Sequence, residues 1–294
     1  MIFARVHASV QPRRLEPEQE PFSPPVEPAE PDPSRLPPGL ADDPPAEAHS
    51  VNRWAVPLAF AMAFLVNANG CGRLVVYASA GTWTHELGHA SWRWLNGRTA
   101  FPAMFFTFYS EPGRSFLFTL LVLGGLAGLF LWARTAECFG LMFLALLFGV
   151  IFVGFAIGMP ASREHVLESF AGIFGEFWIS TRWVVFFYYR FPEGIRWSQL
   201  RWAFLFLGAG AFVHILRVFW ISRDDMSLLP WGSFFGGDGD LDRLLAAGWL
   251  VPTIRRVYFT TATVCAAIIA GHFLYFLQVG PPRFRRASAS PPAS

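Results

Sequence analysis

The sequence predicts an all-α polytopic membrane protein with six or seven transmembrane helices and a short re-entrant or β-like segment. Three observations carry this expectation. Hydrophobic residues make up 53% of the 294 and charged residues only 15%, far from the balance of a soluble domain. Several uncharged apolar runs reach the length needed to cross about 30 Å of hydrocarbon. Many of the arginines fall in alternate connections, as the positive-inside rule expects.

Taken in order, residues 1–50 read as a disordered acidic tail. Twelve of the 23 prolines and nine of the 21 acids fall there, and such a segment cannot bury enough apolar surface to offset ordering. It has neither the apolar core nor the small-residue cleavage site of a signal peptide, so the tail is expected in the cytoplasm. Residues 51–280 form the multi-pass membrane region, and 281–294 a second disordered tail. All 23 basic residues are arginine, which fits codon bias in a GC-rich genome better than arginine-specific chemistry. The expected location is a bacterial inner (cytoplasmic) membrane. Cys71, Cys138 and Cys265 are scattered, so they define neither a disulfide framework nor a thiolate zinc site.

Three spans are plain: 115–133, 139–159 and 257–278. Segment 202–221 has the right length but contains His214 and Arg217; 54–68 is short; 166–190 carries Glu168, Glu176 and Arg182. Segment 72–92 is less apolar, and its small residues, Ala78 to Thr82, Gly88 and Ala90, suit an inner helix shielded from lipid. Between 99 and 114, "TAFPAMFFTFYSEPGR" is too broken to span and predicts a short hairpin or re-entrant segment. Seven crossings put Arg93, Arg98, Arg114, Arg163, Arg223, Arg243, Arg255 and Arg256 inside. They leave Arg190, Arg196, Arg201 and the C-terminal arginines outside, which is why six crossings stay open.

Segment 72–92 carries the chemistry, in "GTWTHELGHASWRW". On a helix His85 and His89, four apart, share a face and can reach one ion, while Glu86 sits about 100° round. This is the pattern in which two histidines bind zinc and the glutamate is the general base. Zinc would lower the pKa of its water towards about 7 and polarise a scissile carbonyl, while Glu86 moves the proton to the leaving amine. Two histidines beside a glutamate inside a membrane are expensive, which favours function over packing.

A hydrolytic zinc site generally has a third protein ligand. His272 lies too far towards the outer side, and His214 with Arg217 reads as a polar helix contact. Glu164, His165 and Glu168 stand at the inner mouth of a helix, where acids also favour the helix dipole; Glu168 is kept as an alternative. The main candidate stretch is "SFFGGDGDLDRLLAAGW", 233–249. It is not a calcium loop of the EF-hand type, because Trp249 occupies the position of the required glutamate. Asp240 and Asp242 suit the cap and first turn of a helix, "LDRLLAAG", which leaves Asp238 without a structural role.

These residues resemble the site-2 protease family of intramembrane zinc metalloproteases: "HELGH" in a membrane helix, and far downstream an Asp-Gly pair, Asp238-Gly239, close to another helix. The resemblance implies His85, His89 and Asp238 as zinc ligands and Glu86 as the base. It also implies a membrane-associated β element at "FPAMFFTFYS". The family's Leu-Asp-Gly-Gly is Gly-Gly-Asp-Gly-Asp here, which keeps Asp240 open as the ligand, and its Gly-Pro-x-x-Asn motif has only a weak echo in "AGIFGE", 171–176. The implied activity is zinc-dependent cleavage of membrane-anchored proteins. The expected partners are such a substrate and the lipid bilayer, with no nucleic acid. The alternative is a non-catalytic membrane protein that binds or transports a metal ion.

Overall fold

The computed structural model describes residues 45–109, 113–188, 197–223, 225–232, 236 and 238–279, all within one unit, Asp43–Ser294. The expected tails 1–50 and 281–294 lie outside the described residues, except that the first helix already begins at Pro45. The elements are α1 (Pro45–Ala68), α2 (Gly70–Val76), a π turn (Tyr77–Gly81), α3 (Thr82–Leu95), β1 (Ala100–Pro102), β2 (Thr107–Tyr109), α4 (Phe116–Thr135), α5 (Phe139–Gly158), α6 (Ala161–Phe186), α7 (Trp197–Ile221), α8 (Asp240–Ala246) and α9 (Val251–Val279).

Among the described residues, four helices are long and apolar enough to cross a membrane: α4, α5, Leu200–Ile221 of α7 and Val251–Gln278 of α9. Arg53–Ala68 and Gly70–Leu95, which meet at a bend of 120°, raise the number to five if they count as one broken span. The six or seven expected from sequence is therefore not reached on length and apolarity alone. Three expected crossings fall short: 54–68 and 72–92, which form the bent pair, and α6, which has 26 residues but carries Arg163, Glu164, Glu168, Glu176 and Arg182. That helix nonetheless lies at the centre, with α3 on one side, α7 on another, and α8 and α9 also against it.

The core is aromatic and lies between α6, α7 and α9, where Phe177, Phe212, Phe219 and Tyr258 are almost wholly buried. The Phe177 and Phe212 rings meet edge-on at 5.8 Å, and those of Phe219 and Tyr258 lie 5.0 Å apart. By contrast, α4 and α5 pair with each other and leave most of their apolar side chains exposed. Exposed leucine and phenylalanine on such helices fit lipid as solvent, not water.

The α3–α6 crossing is tight because glycine meets glycine. A Cβ on Gly88 would lie 2.2 Å from the Ala171 carbonyl oxygen, and one on Gly175 would lie 2.4 Å from Gly88 Cα. Small residues allow such backbone approach in membrane bundles. At the end of this crossing the acids of α6 meet the arginines that follow "HELGH". Glu168 accepts from Arg93 Nε at 2.6 Å and from Nη2 at 3.1 Å, and Glu164 pairs with Arg98.

After α3 the chain turns at Gly97, whose φ of +70° lies in the region glycine tolerates best. The stretch 99–114 then contains an antiparallel hairpin, with Ala100 opposite Tyr109 and Pro102 opposite Thr107. Trp94 Nε1 donates to the Ala100 carbonyl at 2.9 Å, and the Arg93 guanidinium lies 3.4 Å above the Tyr109 ring. The hairpin is thus fastened to the end of the motif helix.

Candidate metal centre

α3 presents His85 and His89 towards α6, one helical turn apart, with the ring planes at 76°. Each ring is fixed from α6 through Nδ1. His85 Nδ1 lies 2.8 Å from Glu176 Oε1, and His89 Nδ1 lies 2.9 Å from the Glu168 backbone carbonyl oxygen. Both partners are acceptors, so both Nδ1 atoms act as donors. In the neutral rings the two Nε2 atoms then carry lone pairs, and they lie 3.1 Å apart.

The third group is Asp240. Its Oδ2 lies 3.1 Å from His85 Nε2 and 3.2 Å from His89 Nε2. Among the described residues this atom is buried with no hydrogen-bond donor aligned on it. Burial pushes the Asp240 carboxyl up; when His89 and His85 are protonated, their attraction overrides it and holds the group below the usual carboxylate range, so the site favours positive charge between the three donors. Two lone pairs and a carboxylate oxygen converging on one point repel one another unless a cation or proton sits between them.

The triangle fits a metal. Tetrahedral zinc with ligands at 2.0–2.2 Å places its donor atoms about 3.3–3.6 Å apart, so the 3.1, 3.1 and 3.2 Å found here need only a few tenths of an ångström of opening. Among the described residues these three donors form the one group of His, Cys, Asp or Glu suited to hold an ion. A cradle surrounds them, because a Cβ on Gly172 would lie 2.5 Å from Asp240 Oδ2 and 2.6 Å from His85 Nε2. The donor set of two imidazoles and one carboxylate suits zinc and leaves a fourth position open.

The structure therefore places Asp240, and not Asp238, beside the histidines. The sequence leaves both open, with Asp238 preferred through the Asp-Gly pair; in the fold Asp238 is exposed and outside the group. The reason is local. Gly239 is the N-cap residue of α8, and Asp242 takes the capping role, its Oδ2 accepting from the Gly239 N–H at 2.9 Å and the Gly232 N–H at 2.6 Å. Asp240 is thereby released from capping. Leu241 and Leu244, wholly buried, anchor the short helix, each burial being worth about 1.5–3 kcal/mol.

Glu168 is not in the group either, since its carboxylate is engaged by Arg93. His214 lies beside the Tyr77 ring at 5.5 Å, and His272 donates from Nδ1 to the Ile268 carbonyl at 3.0 Å. Neither belongs to the group of converging donors.

Glu86 is half-buried and faces the hairpin. The Thr107 hydroxyl of β2 lies 2.7 Å from Glu86 Oε2 and 3.0 Å from the Glu86 carbonyl oxygen, so the hairpin engages the carboxylate of the residue that follows His85. Sequence reading does not single out Thr107 or Gly172. Their signals are faint: Thr107 is the hydroxyl in an aromatic β-prone run, and Gly172 stands four residues after Glu168 and four before Glu176 on one face of α6.

No family model, curated protein or solved structure matches the chain.

Proposed function

We propose that the chain is a zinc metalloendopeptidase that cleaves membrane-anchored proteins within or beside the bilayer, in the manner of the site-2 proteases its motif resembles. The observation that carries this reading is the convergence of His85 Nε2, His89 Nε2 and Asp240 Oδ2 within 3.1–3.2 Å of one another, with Glu86 next in sequence. Zinc at these three donors supplies a Lewis acid that polarises the scissile carbonyl and renders water acidic enough to lose a proton near neutral pH.

The chain does the rest. Glu86 takes up the water's proton and hands it to the leaving amine. Thr107 holds the Glu86 carboxylate from one side, so the base is positioned before substrate arrives. His85 at 25% side-chain exposure is the open side of the centre, while His89 at 10% and Asp240 at 11% are closed off. The substrate is expected to approach over His85 and Glu86.

Counting α1, the α2–α3 run and α6 with the four apolar helices gives seven crossings, with the N-terminus in the cytoplasm of a bacterial cell. The centre then lies near the cytoplasmic face, at the end of the bundle that carries Arg93, Arg98 and Arg163, as the positive-inside rule favours. The alternative, metal passage, calls for ligand groups at successive depths. Among the described residues one group, His85 with His89 and Asp240, is suited to hold an ion, and no second such group lies along a path from it.

Glu86→Gln tests the reading. The purified variant should carry as much zinc as wild type. Membrane fractions of cells bearing it should accumulate full-length membrane proteins that wild type truncates. Identical fragment patterns in the two strains, or a wild-type chain without zinc affinity, would sink the proposal.

A further inference from the structure

Glu176 sits mid-way along α6 and is 4% exposed. A carboxylate at that depth is costly and calls for a partner. The other two buried acids of the same helix, Glu164 and Glu168, are each matched by an arginine, Arg98 and Arg93. Glu176 is matched differently: its Oε1 meets His85 Nδ1 at 2.8 Å, and its Oε2 is buried without a hydrogen-bond partner among the described residues.

We infer that Glu176 is a positioning residue for the metal centre, acting through His85. It faces the far nitrogen of the ring, so it is neither a ligand nor the base. By accepting the Nδ1–H it fixes the tautomer in which Nε2 bears the lone pair, locks the ring about its long axis, and makes the imidazole a stronger donor. Carboxylate partners of metal-binding histidines act in this way. His89 receives the same support from the Glu168 backbone carbonyl, which no side-chain change deletes. The centre's dependence on α6 side chains is thus concentrated in Glu176. This inference rests on the zinc reading above.

The test uses the full chain in detergent micelles, with zinc affinity from chelator competition and the visible absorption of the cobalt-loaded protein as a report of ligand geometry. Glu176→Ala should weaken zinc binding about 10–100-fold and alter the cobalt bands. Glu176→Gln keeps an oxygen that accepts from Nδ1–H, and should stay within about tenfold of wild type with the tetrahedral bands retained. Where Glu176→Ala loses its monodisperse profile, Glu176→Met, closer in volume, takes its place. Wild-type affinity in the Ala or Met variant, or a loss in Glu176→Gln as large as theirs, would overturn the inference. A wild-type chain that binds neither metal would instead overturn the zinc reading and this inference with it.

Discussion

Gly172 and Asp240 stand so close that a methyl group on the glycine would lie 2.5 Å from the Asp240 carboxylate oxygen. The same methyl would lie 2.6 Å from His85 Nε2. Gly172→Ala should therefore push two of the three donors apart while adding an ordinary helix former to α6. Zinc affinity is expected to fall at least about tenfold, the scale seen when metal-site support is lost, with helix content by circular dichroism unchanged. Undiminished zinc binding in this variant would show that the triangle is not where the ion sits.

The two aspartates that flank Gly239 separate cleanly. Asp240→Ala removes one of the three converging donor atoms and, on the proposed reading, should leave the purified chain with little bound zinc by elemental analysis. Asp238→Ala, on an exposed side chain, should bind zinc as wild type does. The reverse pattern would restore the Asp-Gly reading made from sequence.

Thr107→Val deletes the hydroxyl that lies 2.7 Å from Glu86 Oε2 while keeping the side chain's shape. Turnover of a cleaved substrate should drop about tenfold, part of the roughly 100- to 10,000-fold that a positioned base contributes, with zinc content and KM little changed. Thr107→Ser should recover most of the rate. A Val variant at full rate would remove the hairpin from the chemistry.

Arg93→Ala leaves the buried Glu168 carboxylate without its guanidinium and should cost about 3–5 kcal/mol of stability, read from denaturant midpoints in mixed micelles. Glu168→Gln tests the other half of the pair. His89 is held by the Glu168 backbone, not its side chain, so the folded Gln variant should keep its zinc stoichiometry. Loss of zinc from folded Glu168→Gln would return Glu168 to the ligand set.

Much of the centre was legible because spacing on a helix is a local property. His85 and His89 at four residues apart must share a face whatever the rest of the chain does. The hairpin after α3 was legible for the same reason, from prolines and aromatic residues in a short run. What was hidden depends on which helix lies against which. Asp238 and Asp240 are both followed by plausible helix starts, and only the capping by Asp242 decides which one turns towards α3. Glu176 reads in sequence as a charge that weakens a span, although its spacing from Gly172, Glu168 and Glu164, four residues at each step, marks a single polar face. The same charges obscured the span count, because hydropathy measures the tolerance of lipid and α6 is surrounded by protein.

The donors of the centre come from two distant parts of the chain, with α4 to α7 running between His89 and Asp240. An ion gripping both ends would restrict the unfolded chain as a long-range disulfide does, and its binding free energy would become folding free energy. The chain's three cysteines are free, so no disulfide duplicates that clasp. Zinc supply would then govern the protein's abundance as well as its chemistry: starved cells would hold a loosened chain open to their own quality-control proteases.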